Sequence, residues 1–178
     1  MEYAIRPARP EDVAAIMAVM ESAMGAMTHP EWFYADDDGY IARHIDSADG
    51  FCLVAEAPDG TLAAYFTVKY AGTRPDALGW RLGMTGQQLL ATAQMDSCCV
   101  APAHQGHGLE GKLILAAEER LRALPGHPIA HLVGTVHPDN APSLTTALHR
   151  VYVIAAASVP CYGANIRHIL RKELEVSQ

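Results

Sequence analysis

Basic residues are in short supply, with 13 Lys and Arg set against 20 Asp and Glu for a formal charge of −7. A nucleic-acid backbone asks for a basic stripe, so no such partner is expected, whereas a cationic small molecule suits the balance. No apolar run approaches the roughly 20 residues of a membrane span, and the opening MEYAIRPARP is no signal peptide. Cysteine is scarce: Cys52, Cys98, Cys99 and Cys161 lack the spacing of a disulfide framework or a zinc site. All four are expected to be buried thiols in a reducing, cytoplasmic protein. Repeats, low-complexity tracts and long linkers are absent, so residues 1–178 read as one domain. Histidine is plentiful, yet His104 and His107 sit in a loop with no third ligand close by, and no metal is expected. Ser143, His149 and Asp139 come without the G-x-S-x-G elbow of a hydrolase.

What is present is a regular alternation of elements. Tyr3 to Arg6 reads as a strand. A helix then starts at Pro10, with Glu11 and Asp12 in its first turn and Val13, Ile16, Met17, Met20, Ala23, Met24 and Met27 along it. His29 and Pro30 break it. Asp36, Asp37 and Asp38 follow the aromatic run 31–34 and precede a second helix around Tyr40 to Ile45. Those aspartates read first as a solvated helix start and second as an electronegative lip for an amine. Phe51 to Glu56 and Thr61 to Tyr70 form an antiparallel hairpin through Pro58, Asp59 and Gly60. Ala71 to Gly83 is irregular. Thr85 and Gln88 make a capping box for a short helix through Leu89, Leu90 and Ala93.

Met95 to Val100 is a buried strand, and the loop after it opens on Gly106, His107 and Gly108. The helix that follows carries Leu109, Leu113, Ala116, Ala117, Leu121 and Leu124 on one face, with Glu118, Glu119 and Arg122 largely opposite. Ile129 to Val136, Tyr152 to Val159 and Arg167 to Leu174 are further strands, with a helix from Pro142 through Leu148 between the first two. The order β-α-α-β-β-(α)-β-α-β-α-β-β predicts an α/β protein with a mixed sheet of about seven strands and helices on both faces.

A glycine-opened helix start leaves backbone N–H groups suited to a phosphate. GHGLEG, residues 106–111, even matches the dinucleotide pattern G-x-G-x-x-G. A Rossmann unit would place the first glycine right after the strand and an acidic residue at the end of the next one. Here five residues separate Val100 from Gly106, a hairpin precedes the motif, and the next strand runs into His137 and Pro138. The dinucleotide reading is set aside.

Val100, Pro102, Gln105, Gly106 and Gly108 instead resemble the acyl-CoA-binding segment of the GNAT acetyltransferase superfamily. That segment is a strand ending in Val, then x-Pro-x-x, then Arg or Gln-x-x-Gly-x-Gly or Ala opening a helix. Ile5, Arg6, Ala8 and the Pro10-Glu11-Asp12 helix start look like the family's opening. The hairpin sits where its second and third strands belong. His137-Pro138-Asp139-Asn140 with Ser143 resembles its later motif, and Tyr162, Gly163, Arg167 and the final KEL resemble its closing strands.

The resemblance implies an N-acetyltransferase that passes an acetyl group from acetyl-CoA to an amine of a small molecule or peptide, with no metal. It implies that pyrophosphate lies over the amides of Gln105, Gly106, His107, Gly108, Leu109 and Glu110. It further implies pantetheine pairing with Cys98, Cys99 and Val100, and cofactor contacts at Asn140 and Ser143. The acceptor would enter between 31–40 and 71–90. A homodimer is compatible with the family. Asp96 sits where members often carry an acidic residue, and on a strand it shares a face with Cys98 and Val100. An alkyl amine must lose a proton before attack, so Asp96 is the candidate general base, direct or through water, against a structural hydrogen-bonding role. Ser97 faces the other way and is read as structural.

Two positions depart from the family pattern. Glu110 replaces a Gly or Ala and is expected to point away from the pyrophosphate. Ala147 stands where a tyrosine usually protonates the departing thiolate. Tyr152, Tyr162 and His149 are the side-chain candidates for that acid, and water is sufficient for so fair a leaving group. Ala147 also sustains the alternative of a non-catalytic acyl-CoA-binding or regulatory domain.

Overall fold

Pro58, Asp59 and Gly60 reverse the chain between β2 (Gly50–Glu56) and β3 (Leu62–Lys69). Asp59 accepts hydrogen bonds from the Thr61 amide and hydroxyl at 3.0 and 2.7 Å, while Gly60 takes φ 84°. That is the turn chemistry expected of the tripeptide. The computed structural model describes residues 2–126 and 129–175. Seven strands run in the order β1-β2-β3-β4-β5-β7-β6 in one mixed sheet. By its internal contacts the chain forms two compact units, Met1–Lys69 with Asp96–Ala117, and Tyr70–Met95 with Glu118–Gln178.

In the first unit, β1 (Ala4–Pro7) pairs antiparallel with β2, and β2 with β3. Arg6 bonds Asp12 at 2.7 Å and Glu56 at 2.9 Å, clamping the start of the next helix to the sheet. The guanidinium holds the Asp12 carboxyl below the usual carboxylate range. Pro10–Asp12 is a 3-10 turn, so helix α1 begins at Val13 and ends at Gly25, leaving Met27 beyond it. Ile16, Val19, Met20 and Ala23 bury the α1 face against Cys52, Val54, Tyr65 and Cys99 of the sheet. The methionine stripe is therefore core at Met20 and half-buried packing at Met17 and Met24. Helix α2 (Asp38–Arg43) adds Ile41 to the same core.

In the second unit, the capping box of Thr85 and Gln88 is present in both directions, and helix α3 spans Gly86–Leu90. It stops there because the Thr92 hydroxyl donates to the Gln88 carbonyl at 2.6 Å and the chain turns into β4 (Thr92–Val100). Ala93, expected in that helix, is thus in the strand, which starts earlier than Met95. Residues 71–83 are not wholly irregular: Leu78–Leu82 form a 3-10 turn. Thr92 to Met95 pair in parallel with β5 (His131–Val136), β5 antiparallel with β7 (Asn165–Glu173), and β7 with β6 (Val153–Cys161). A Cβ on Gly134 would lie 2.8 Å from the Met95 carbonyl oxygen, so the close approach of β5 to β4 there requires glycine. Helix α5 spans Ala141–His149. Tyr152 precedes β6 rather than opening it.

Helix α4 (Leu109–Arg122) buries Leu109, Leu113, Ala117 and Leu121 as its spacing predicts, while Ile114 is buried in addition, Ala116 is half-buried, and Leu124 is half-buried past the helix end. Glu118 corrects the expected pattern. It is 1% exposed, with Lys172 donating to both carboxylate oxygens at 2.8 and 2.7 Å and Arg122 at 3.4 Å. A carboxylate is tolerated in such a place only when paired. Hydrophobic periodicity counts Glu118 as an outward residue because it does not see Lys172.

Candidate active site

The β4–β5 ladder ends at Met95 and Gly134, so Asp96 is the first residue of β4 past it. From there burial alternates: Asp96, Cys98 and Val100 are half-buried, while Ser97 and Cys99 are buried. The shared face anticipated for Asp96, Cys98 and Val100 is therefore the more open one. Cys98 departs from the expectation that all four thiols are buried. Cys52, Cys99 and Cys161 are buried, and all four are free.

Burial pushes the Cys52 and Cys99 thiols up to about 12. Burial, then the Glu110 carboxylate, also raises Cys98. At pH 7 these thiols are protonated and weak nucleophiles.

Beyond Val100 the Ala101 amide donates to the Ala63 carbonyl at 2.8 Å, tying the strand end to β3. Pro102–His104 is a 3-10 turn, and Gly106 and Gly108 adopt φ 79° and 68°. At neither would a Cβ meet anything within 4 Å, so backbone conformation rather than crowding selects glycine. The helix proper begins at Leu109, one residue past the glycines, and Lys112 donates to the Gly108 carbonyl at 3.1 Å. Gln105, Gly106, His107 and Gly108 are exposed and Glu110 half-buried. The Gln105 amide reaches the Val100 carbonyl at 3.4 Å. Beside the loop Tyr3 bonds His104 at 3.0 Å, meets the His107 ring edge-on, and has the Lys112 ammonium 5.9 Å above its ring. Sequence reasoning missed this aromatic and basic group, because Tyr3 belongs to a distant segment.

Around Asp96 the structure gathers residues of the α2 region. Asp37 caps α2, accepting from the Tyr40 amide at 2.6 Å. The Tyr40 hydroxyl donates to Asp96 Oδ2. His44 Nδ1 meets the Tyr40 carbonyl at 2.8 Å, with the two rings 4.2 Å apart. Asp36 is not part of a solvated helix start. Its side chain is bonded by Ser97, its Oδ2 is buried, and burial raises its carboxyl to about 6. Tyr40 and Asp36 are the residues sequence reasoning missed. Both lie in 31–40, the segment expected to border the acceptor, and the second reading of the aspartates, as an amine-attracting lip, pointed the same way.

The remaining expected site residues belong to the second unit. Asn140 caps α5, its Oδ1 accepting from the Ser143 amide at 3.3 Å, so it opens a helix as expected. Tyr152 is buried, with Lys172 over its ring at 5.4 Å, and burial together with Glu118 raises its phenol well above the usual value. Tyr162 is exposed, takes φ 49°, and shares a hydrogen bond with the Thr135 hydroxyl at 3.3 Å. His149 is exposed at the end of α5. Among the described residues no group of His, Cys, Asp and Glu is arranged to hold a metal ion. No helix of the described residues is long and apolar enough to cross a membrane.

Residues 16–152 match the acetyltransferase (GNAT) family. No curated protein matches the sequence significantly. Solved structures share the fold at low identity. The ribosomal-protein-S18-alanine N-acetyltransferase of Escherichia coli is 14% identical, with TM-score 0.70 over 99% of this chain and 97% of that one. The PaiA N-acetyltransferase of Thermoplasma acidophilum in complex with coenzyme A is 15% identical, with TM-score 0.68 over 97% and 99%. A phosphinothricin acetyltransferase of Sinorhizobium meliloti in complex with acetyl-CoA is 14% identical, with TM-score 0.69 over 98% and 89%.

Proposed function

The chain belongs to the acetyltransferase (GNAT) family, and from that premise we propose that it moves an acetyl group from acetyl-CoA to an amine of a small molecule or peptide by direct attack in a ternary complex. The observation that carries this reading is the sequence of features along β4. Asp96 lies just past the end of the β5 ladder, and a glycine-opened helix start follows the strand's other end. The first N–H groups of a 14-residue helix favour an anion, which suits the pyrophosphate on Gln105 to Glu110. Tyr3, His107 and Lys112 supply ring faces and positive charge beside it. Pantetheine pairs along Cys98, Cys99 and Val100 as an added strand would. An N–H of this segment meets the thioester oxygen and stabilises the developing oxyanion.

Asp96 is the general base that takes the proton from the amine, direct or through water, and the Tyr40 hydroxyl bonds its carboxylate. The three raised thiols, Cys52, Cys98 and Cys99, support transfer without an acetyl-cysteine intermediate. Tyr152 and Tyr162 stay the side-chain candidates for protonating the thiolate, with water sufficient. Asn140 and Ser143 stay proposed cofactor contacts. Four free thiols suit a reducing, cytoplasmic setting. The edge strand β6, with Val153 58% and Ile154 41% exposed, supports self-association. Ala147, buried on α5 in place of the usual tyrosine, favours a second reading as an acyl-CoA sensor. Following thiol release from acetyl-CoA across an amine panel separates the two.

A further inference from the structure

We propose that Lys112 and His107 bind the ribose 3′-phosphate of coenzyme A, on a platform held by Tyr3 and His104, so that this chain prefers coenzyme A to dephospho-CoA. This deepens the acetyl-transfer reading and rests on it.

Tyr3, from the segment before β1, is the centre of a side-chain group beside the loop that opens α4. Its hydroxyl bonds His104 Nδ1 at 3.0 Å, and the two rings stand edge to face with centroids 5.7 Å apart. The His107 ring meets it at 5.6 Å, and the Lys112 ammonium lies 5.9 Å from its centroid, over the ring. Tyr3 and His104 are half-buried, whereas His107 and Lys112 are exposed. The group therefore has a seated base and an open, basic top.

The hydrogen bonds define which atoms are left for a ligand. His107 Nδ1 faces the carbonyls of His104 and Gln105 at 3.2 and 3.1 Å, and because carbonyls only accept, Nδ1 carries a proton. Its Nε2 has no partner among the described residues and becomes a second donor when an anion draws a proton onto it. Lys112 likewise has no carboxylate partner among the described residues. It closes the first turn of α4, near the positive end of the helix dipole, where an ammonium is disfavoured unless an anion joins it. Glu110 stands two positions back, and residues at that spacing do not face each other on a helix. Asp59 of the β2–β3 turn is the carboxylate that bears on His104, which leaves His104 to support the group rather than to hold a phosphate.

The position of the group separates it from the pyrophosphate. The proposed pyrophosphate contacts are backbone amides of Gln105 to Glu110, which need no side chain to hold an anion. Lys112 lies four residues past Gly108, about 6 Å along the helix axis, and reaches toward Tyr3 outside the loop. Coenzyme A carries one further phosphate a sugar ring away from its pyrophosphate. Such a monoester offers charge and three acceptor oxygens, which an ammonium and an imidazolium N–H match with charge-assisted hydrogen bonds.

The test titrates the full chain by calorimetry with coenzyme A and with dephospho-CoA, which differ only in this phosphate. Wild type should bind coenzyme A about tenfold or more tighter, and the ratio should shrink at about 0.5 M NaCl. Lys112→Met should weaken coenzyme A about tenfold while leaving dephospho-CoA within about twofold of wild type. His107→Gln should do the same at about threefold, and Tyr3→Leu should lose most of the preference because both donors lose their platform. Lys112→Arg keeps the charge and should keep the preference. A merely structural role would weaken both ligands alike. Equal losses for the two ligands in Lys112→Met, or a wild type that binds the two equally, overturn the inference alone. A wild type that binds neither overturns the acetyl-CoA reading, and the inference with it.

Discussion

The Tyr40 hydroxyl of α2 donates to the Asp96 carboxylate of β4, across 56 positions of sequence. The bond links α2, whose Ile41 packs in the core with Cys99, to the half-buried Asp96 of the same strand. Tyr40→Phe removes the donor while keeping the ring against His44. A hydrogen bond to a charged group is worth about 1.5–3 kcal/mol, so kcat/KM for an amine should fall about tenfold or more. KM for acetyl-CoA should not change. Steady-state kinetics with each substrate varied in turn measures both.

Cys98 lies on the face proposed for the thioester, which makes it the obvious candidate for a covalent acetyl carrier. Its thiol is raised well above the ordinary range, first by burial and then by Glu110. Cys98→Ser should therefore keep kcat within a few-fold of wild type, and no acetylated enzyme should appear by intact-protein mass spectrometry in the absence of amine. Loss of turnover, or a trapped acetyl-enzyme, would argue for a two-step transfer.

Gly108 holds φ 68° at the last turn before α4. Alanine there costs about 1 kcal/mol of backbone strain and tilts the loop amides away from their common direction. Gly108→Ala should weaken acetyl-CoA about fivefold or more by calorimetry and leave the amine KM unaffected. Affinity equal to wild type would remove the loop from the cofactor site.

Asp36 also predicts a stability signature. Its folded carboxyl is raised to about 6 from an ordinary 3.8, so between those values the folded chain binds a proton that the unfolded chain has lost. Stability therefore falls as pH rises through this window, and the deficit is complete above about pH 6. Asp36→Asn removes the charge, and at pH 8 should stabilise the chain by about 1 kcal/mol, allowing for solvent screening. The gain should shrink toward pH 4. Urea unfolding at the two pH values measures it, and a variant less stable than wild type at pH 8 would contradict the burial of an ionised Asp36.

Local chemistry was legible in the sequence wherever one segment decides the outcome. The Pro58-Asp59-Gly60 turn, the Thr85–Gln88 capping box, the glycines before α4 and the alternation from Asp96 to Val100 all depend on near neighbours. Long-range partners were not legible. Glu118 looked outward until Lys172 supplied its counter-charge, and Thr92 ended α3 before Ala93 because its hydroxyl reaches back to Gln88. Asp36 looked like one of three equivalent aspartates. Asp37 caps α2 and Asp38 is exposed, and only Asp36 meets Ser97 and carries a buried oxygen. Adjacent identical residues diverge when the tertiary fold seats one of them and leaves the next in water.

Incubating the purified chain with acetyl-labelled acetyl-CoA and phenethylamine, and quantifying N-acetyl product by mass spectrometry against thiol released, bears on acetyl transfer itself. One labelled amide should form for each thiol released, at a rate that saturates in both substrates. Tight binding of acetyl-CoA with neither product would contradict turnover and leave a sensor of acyl-CoA.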